Sequence, residues 1–194
     1  MYRYLRFLLL WFTPGLFLVS PALAQDIVPR ILNGVPTDGF DAVGLVGSRG
    51  RDFCTGTLIS EIHVLTAAHC AVEMESQTSG TFTLDGDVYS TRRVFVHPDF
   101  DPVTLANDIA VLELSEPVLG IQTAAIFREV PNEGEELIIV GFGRVGDASG
   151  AELSTFGEKL VGTTTIDRVE PTLIRWVFDD PSESNTAPGD SGGP

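Results

Sequence analysis

Gly189-Asp190-Ser191-Gly192-Gly193-Pro194 stands at the end of a 194-residue chain. A serine set among glycines suits nucleophilic chemistry. Glycines let the backbone come close to a substrate carbonyl and turn N–H groups toward it. A hydroxyl is a poor nucleophile until a base takes its proton, so the meaning of Ser191 depends on what lies upstream. Two segments there carry the matching chemistry. Leu65-Thr66-Ala67-Ala68-His69-Cys70 places an imidazole beside a cysteine. Asn107-Asp108-Ile109-Ala110-Val111-Leu112-Glu113-Leu114 places an acid at the head of an apolar run, where a buried carboxylate can orient an imidazole and fix its tautomer.

The order of these groups separates unrelated folds. Gly189 to Gly193 also fits the G-x-S-x-G elbow of α/β-hydrolases, but in that fold the acid and the histidine follow the serine. Here only Gly192, Gly193 and Pro194 follow, and Pro194 is a weak start for the helix that should come next. The order Asp, His, Ser of subtilisins would need an acid ahead of His69 and different motifs. His69, Asp108, Ser191 is the chymotrypsin order.

Working outward, 43% hydrophobic and 20% charged residues describe a globular chain rather than a disordered one. Twenty Gly, twelve Pro and many short β-branched runs predict an all-β architecture. Strands are expected around Leu58-Ile59, Val64-Leu65, Thr81 to Leu84, Val94 to Val96, Ile109 to Leu114, Leu137 to Val140 and Leu173 to Phe178. Turn residues punctuate them at Asp85-Gly86-Asp87, His97-Pro98, Glu133-Gly134 and Gly146-Asp147. Leu119 to Glu136 reads as a linker between two halves. Asp85 and Asp87 suit a solvated hairpin turn better than a calcium site. No metal site and no cofactor are expected.

The first 24 residues read as a secretory signal peptide: basic Arg3 and Arg6, an apolar run from Phe7 to Val19, and an A-x-A site at Ala22-Leu23-Ala24. The run is short for a membrane span and Pro14-Gly15 interrupts it. Export, to the extracellular space or a periplasm, places the chain where disulfides persist and favours a bridge between Cys54 and Cys70 over two buried thiols. The formal net charge is −15, and loss of the leader arginines makes it more negative still. Such a field argues against nucleic acid and, after signal removal, against anionic membranes as partners.

Thr57-Leu58-Ile59-Ser60, Leu65 to Cys70, Asn107 to Leu114 and Gly189 to Pro194 together resemble trypsin-like serine proteases. Arg30-Ile31-Leu32-Asn33-Gly34 and, more loosely, Val140-Gly141-Phe142-Gly143 fit the same pattern. The resemblance implies two antiparallel six-stranded β-barrels with a catalytic cleft between them. Residues 31–125 would form the first barrel, with His69 and Asp108. Residues 126–194 would form an incomplete second barrel, with Ser191. It also implies that His69 is the general base, Asp108 its orienter and Ser191 the nucleophile. The N–H groups of Gly189 and Ser191 would form the oxyanion hole, and Cys54–Cys70 would close the loop carrying His69. The substrates would be proteins or peptides. The alternative is an inactive pseudoprotease acting as a binding module.

The chain departs from the family in two places. Family members continue beyond the position of Pro194, so a fragment of a longer product is expected. Six residues before Ser191 stands Asn185, where trypsins carry an Asp that pairs with a substrate Lys or Arg. Residues 25–30 read as a short activation propeptide. The resemblance implies that cleavage between Arg30 and Ile31, with a separate protease as a possible activator, creates an ammonium on Ile31 that pairs with Asp190, as in the family.

Overall fold

The computed structural model describes residues 31, 33–74, 79–143, 146–147, 150–151 and 157–194. The signal peptide, the propeptide and Arg30 lie outside them. The chain forms β1 (Val35–Pro36), β2 (Val43–Ser48), β3 (Arg51–Ser60), β4 (His63–Thr66), α1 (Ala68–Val72), β5 (Gly80–Leu84), β6 (Asp87–Val96) and β7 (Ala110–Leu114). It continues with β8 (Glu136–Gly141), β9 (Gly146–Asp147), β10 (Gly150–Ala151), β11 (Leu160–Thr165), β12 (Arg168–Glu170) and β13 (Leu173–Arg175).

Six strands close a barrel in the order β2-β3-β4-β7-β6-β5, every neighbour antiparallel. β5 alternates buried and half-buried residues along Gly-Thr-Phe-Thr-Leu, as a strand with one face on a core must. Val46, Leu58, Val64, Phe82, Leu112 and Leu114 fill the interior. Fully burying side chains of this size contributes about 1.5–3 kcal/mol each before entropy is counted. Register shifts after Val46, Leu58 and Thr91 mark bulges that let long strands bend around the barrel.

The second half is an open arrangement. β11 pairs with β8 on one side and with β1 on the other. β12–β13 and β9–β10 form separate two-stranded ladders. The two halves meet through Val43, Val140 and Phe142, with Leu45 and Val161 packed against them. The expected all-β fold, with one closed barrel and an incomplete second one, is therefore the one observed. No helix of the described residues is long and apolar enough to cross a membrane.

The strand predicted over Leu173 to Phe178 stops at Arg175. The Val177 amide donates instead to Asp167 Oδ2 at 2.6 Å, which turns the chain out of the ladder. The expected linker holds no strand until Glu136, where β8 begins.

Candidate active site

His69 sits in the first turn of α1, directly after β4. The helix has only five residues, and its N-cap, Ala67, offers no side-chain oxygen. Its first N–H groups therefore need partners from elsewhere. Asp108 supplies one: Oδ1 accepts the His69 backbone N–H at 2.8 Å. Its other oxygen, Oδ2, meets the same residue's ring at Nδ1, 2.6 Å away. One carboxylate thus fixes both the backbone and the ring of His69. An ionised carboxylate only accepts, so Nδ1 carries the proton and the lone pair lies on Nε2. The pair is partly shielded, with side-chain exposures of 35% for His69 and 18% for Asp108.

Asp108 is held by the loop ahead of β7. Asn107 takes a left-handed conformation, φ 54°, and its Nδ2 donates to the Asp99 carbonyl. Asparagine tolerates this region better than most residues. The Ile109 carbonyl accepts from the His97 amide, which ties the far end of β6 to the same loop. Cys54 and Cys70 are bridged, with Cα atoms 6.3 Å apart, within the ordinary disulfide range. The bridge joins β3 to α1 one residue beyond His69. Cys54, His69 and Cys70 cluster, but bonded sulfurs are not thiolate ligands for a metal.

Ser191, His69 and Asp108 line one open groove of about 740 Å³, with Leu105, Trp176, Thr186 and Gly193 among its other walls. Among the described residues no hydrogen bond joins the Ser191 hydroxyl to His69; Nε2 lies 3.5 Å from Cys70 Sγ. Gly192 has φ +82°, and a Cβ there would sit 2.2 Å from Thr66 Oγ1, so only glycine fits between the serine and β4. Gly189 also has positive φ. Among the described residues the Gly189 and Ser191 amides donate to no protein acceptor, which leaves both available to a ligand.

The nucleophile loop is anchored by a residue that sequence reasoning missed. Thr55, wholly buried in β3, donates through Oγ1 to the Gly189 carbonyl at 2.8 Å and accepts from the Phe142 amide at 3.2 Å. Its own amide donates to the Ser191 carbonyl at 2.9 Å, and its carbonyl accepts from Thr66 Oγ1. Nothing marks Thr55 in the sequence beyond its place next to Cys54.

Asp190 is 5% exposed. It accepts the Gly143 amide at 2.7 Å and the Ala187 amide at 2.8 Å. A Cβ on Gly143 would lie 2.5 Å from the Asp190 carboxyl, so the glycine is required for this approach. Burial pushes the Asp190 carboxyl above its ordinary range, and the two amides only partly offset it. Among the described residues no cation pairs with it. Ile31 is fully buried against Ile139 and Leu160, and it shares with Asp190 and Trp176 the lining of a cavity of about 270 Å³. Asn33, two residues on, is left-handed at φ 62° and donates through Nδ2 to the Pro181 and Glu183 carbonyls. Asn185 lies half-buried beside the groove wall, bonded to Trp176. Of the other histidines, His63 pairs with Ser60 away from the groove, while His97 lines it.

The site thus combines a closed antiparallel barrel, an open second sheet and a hydrogen-bonded His–Asp pair that lines one groove with a serine set among glycines. The family model described as Trypsin matches residues 34–194, and the chain belongs to the trypsin family of serine proteases. A trypsin of Sarcophaga bullata is 32% identical over 141 residues, covering 64% of this chain and 54% of that protein. The serine protease filzig of Drosophila melanogaster is 29% identical over 170 residues, 69% of this chain and 10% of its own length. A vitellin-degrading protease of Bombyx mori is 32% identical over 114 residues, 53% of this chain and 43% of that protein. The chain spans between a tenth and about half the length of these relatives.

Proposed function

We propose that the chain belongs to a secreted serine endopeptidase that cleaves peptide bonds through an acyl-enzyme. The observation that carries this reading is the double hold of Asp108 on His69, a histidine that lines the same groove as Ser191. Ser191 Oγ attacks the scissile carbonyl while His69 Nε2 takes its proton. His69, now imidazolium beside Asp108, returns that proton to the leaving amine. Water repeats the sequence to release the acid. The Gly189 and Ser191 amides receive the developing oxyanion.

The same reading includes activation. Cleavage after Arg30 frees an ammonium on Ile31. Ile31 already lines the cavity that holds the Asp190 carboxylate, which lacks a described cation. An ion pair there would offset the burial of Asp190 and hold the Gly189–Ser191 turn. The activator is a separate protease, and the substrates are proteins or peptides.

The test is labelling of the secreted full-length protein with a fluorophosphonate, followed by mapping of the adduct. The expected adduct is on Ser191, and His69→Ala should slow its formation by orders of magnitude. An adduct elsewhere, or no change on losing His69, would exclude the assignment.

A further inference from the structure

We infer that the His97 imidazole is a positioning residue for Asp108, acting through the turn it closes and not by touching substrate. The inference rests on the serine protease reading above, in which Asp108 orients His69. Asp108 stands just beyond the point where the β6–β7 ladder ends, at Val96 and Ala110. Past that point the ladder no longer fixes its backbone. Both of its chain neighbours are tied instead to one turn, His97-Pro98-Asp99-Phe100. The Asn107 side chain donates to the Asp99 carbonyl at 3.0 Å. The His97 amide donates to the Ile109 carbonyl at 3.0 Å. The Ile109 amide donates back to the Asn107 carbonyl at 2.8 Å, so Asp108 is the middle residue of a tight three-residue turn.

The supporting turn is closed twice. Pro98 presets its backbone, and the Phe100 amide donates to the His97 carbonyl at 3.1 Å. The second closure is the imidazole, whose Nδ1 accepts the Asp99 amide at 3.2 Å. Asparagine makes the same contact at such turns, through an oxygen at the same place along its side chain. The excursion beyond the turn closes on itself. The Asp101 amide donates to the Ala106 carbonyl, the Leu105 amide to the Asp101 carbonyl, and Thr104 Oγ1 to Asp101 Oδ2. Without the ring contact the Pro98–Asp99 peptide is free to rotate, and the Asp99 carbonyl that holds Asn107 shifts with it. Asp108 has little tolerance for that. Its two oxygens meet the backbone and the ring of His69 at 2.8 and 2.6 Å, and both bonds need the carboxylate in one orientation.

The experiment is a double-mutant cycle on the activated full-length protein, with fluorophosphonate labelling at Ser191 followed on the same samples. His97→Ala should lower kcat by about two- to tenfold, the value of roughly one net hydrogen bond, with KM little changed. His97→Asn should restore most of that loss, because its oxygen can take the Asp99 amide. In the Asp108→Asn background, His97→Ala should cost no further activity, since the group it positions no longer orients the His69 ring. Equal losses in the two backgrounds would overturn the inference. So would a wild-type kcat in His97→Ala, or no recovery in His97→Asn. A loss confined to KM, or absent from the rate of labelling by the small fluorophosphonate, would make His97 a substrate contact and overturn it too. An Asp108→Asn variant as active as wild type, or a protein that never labels, overturns the protease reading and this inference with it.

Discussion

Thr55 Oγ1 donates to the Gly189 carbonyl at 2.8 Å, so a barrel hydroxyl holds the turn that presents Ser191. The two residues are 134 positions apart in the chain. The bond is buried, and the same oxygen accepts the Phe142 amide. One side chain therefore joins the closed barrel, the end of β8 and the nucleophile turn.

Replacing Thr55 with Val keeps the shape and removes both bonds. A buried carbonyl and a buried amide lose their partner, at a cost of about 1–3 kcal/mol each if water cannot enter. Urea unfolding of Thr55→Val should show a lower midpoint with an unchanged slope. Turnover should fall more than substrate affinity, because the Gly189 and Ser191 amides, proposed above to receive the oxyanion, lose their anchor. A variant with wild-type turnover would show that the turn holds itself.

Asp108→Asn keeps an oxygen for the His69 amide but offers a donor to the ring. His69 then carries its proton on Nε2 and loses its basicity toward Ser191. The expected loss in turnover is about 10⁴-fold, the size known for this tautomer change elsewhere in the family. Stability should change little by comparison. Equal activity in both proteins, measured on one ester substrate near neutral pH, would remove Asp108 from the mechanism.

Asp190 makes the uncleaved chain respond to pH. Its carboxyl holds a proton more tightly when folded than when unfolded, because burial is the largest influence on it. The stability it contributes is full below the unfolded carboxyl range and is lost as pH rises through the raised native value. Asp190→Asn has no such titration. From about pH 3 to about pH 7, the wild-type urea midpoint should therefore fall relative to the variant's. A gap that stays constant, or moves the other way, would mean that a cation already compensates Asp190.

Cleavage after Arg30 should reverse that penalty. N-terminal sequencing of active protein should begin at Ile31, and the cleaved form should be more stable near neutral pH than the uncleaved one. Arg30→Gln should remain uncleaved and weakly active. Full activity in a protein that starts at Gln25 would rule the switch out.

The Cys54–Cys70 bridge closes a loop for which the chain-entropy model gives roughly 3 kcal/mol. A Cys54→Ala, Cys70→Ala double variant should unfold at lower urea by about that amount. It should also lose activity, because the bridge ends one residue from His69. Unchanged stability would place the bridge's effect in the unfolded chain's residual structure.

Strands with plain alternation or long apolar runs were legible: β5, β7 and β8 lie where pattern and turn residues place them. β2 was missed because Gly44 and Gly47 interrupt Val-Gly-Leu-Val-Gly-Ser and no hydrophobic period survives. The interruption is itself a packing requirement, since a Cβ on Gly44 would sit 2.7 Å from the Phe82 ring. β11, Leu-Val-Gly-Thr-Thr-Thr, was missed for a similar reason: its polar threonines alternate between the sheet's two faces without an apolar signal.

The sequence by itself determined the chemistry on offer. The order of His69, Asp108 and Ser191 matches one known arrangement, and the expectation of export favoured a bridge between the two cysteines over two free thiols. It also showed that a neutral amide stands at position 185. Tertiary structure decided the rest. Barrel closure brings Asp108 to both the backbone and the ring of His69, and brings Thr55 under Gly189. The fold of β13 carries Trp176 to Asn185 and occupies its oxygen. Hydrogen bonds need groups within about 3 Å and aligned. No local pattern encodes such contacts between residues far apart in the chain; only the packing of strands around a shared core creates them.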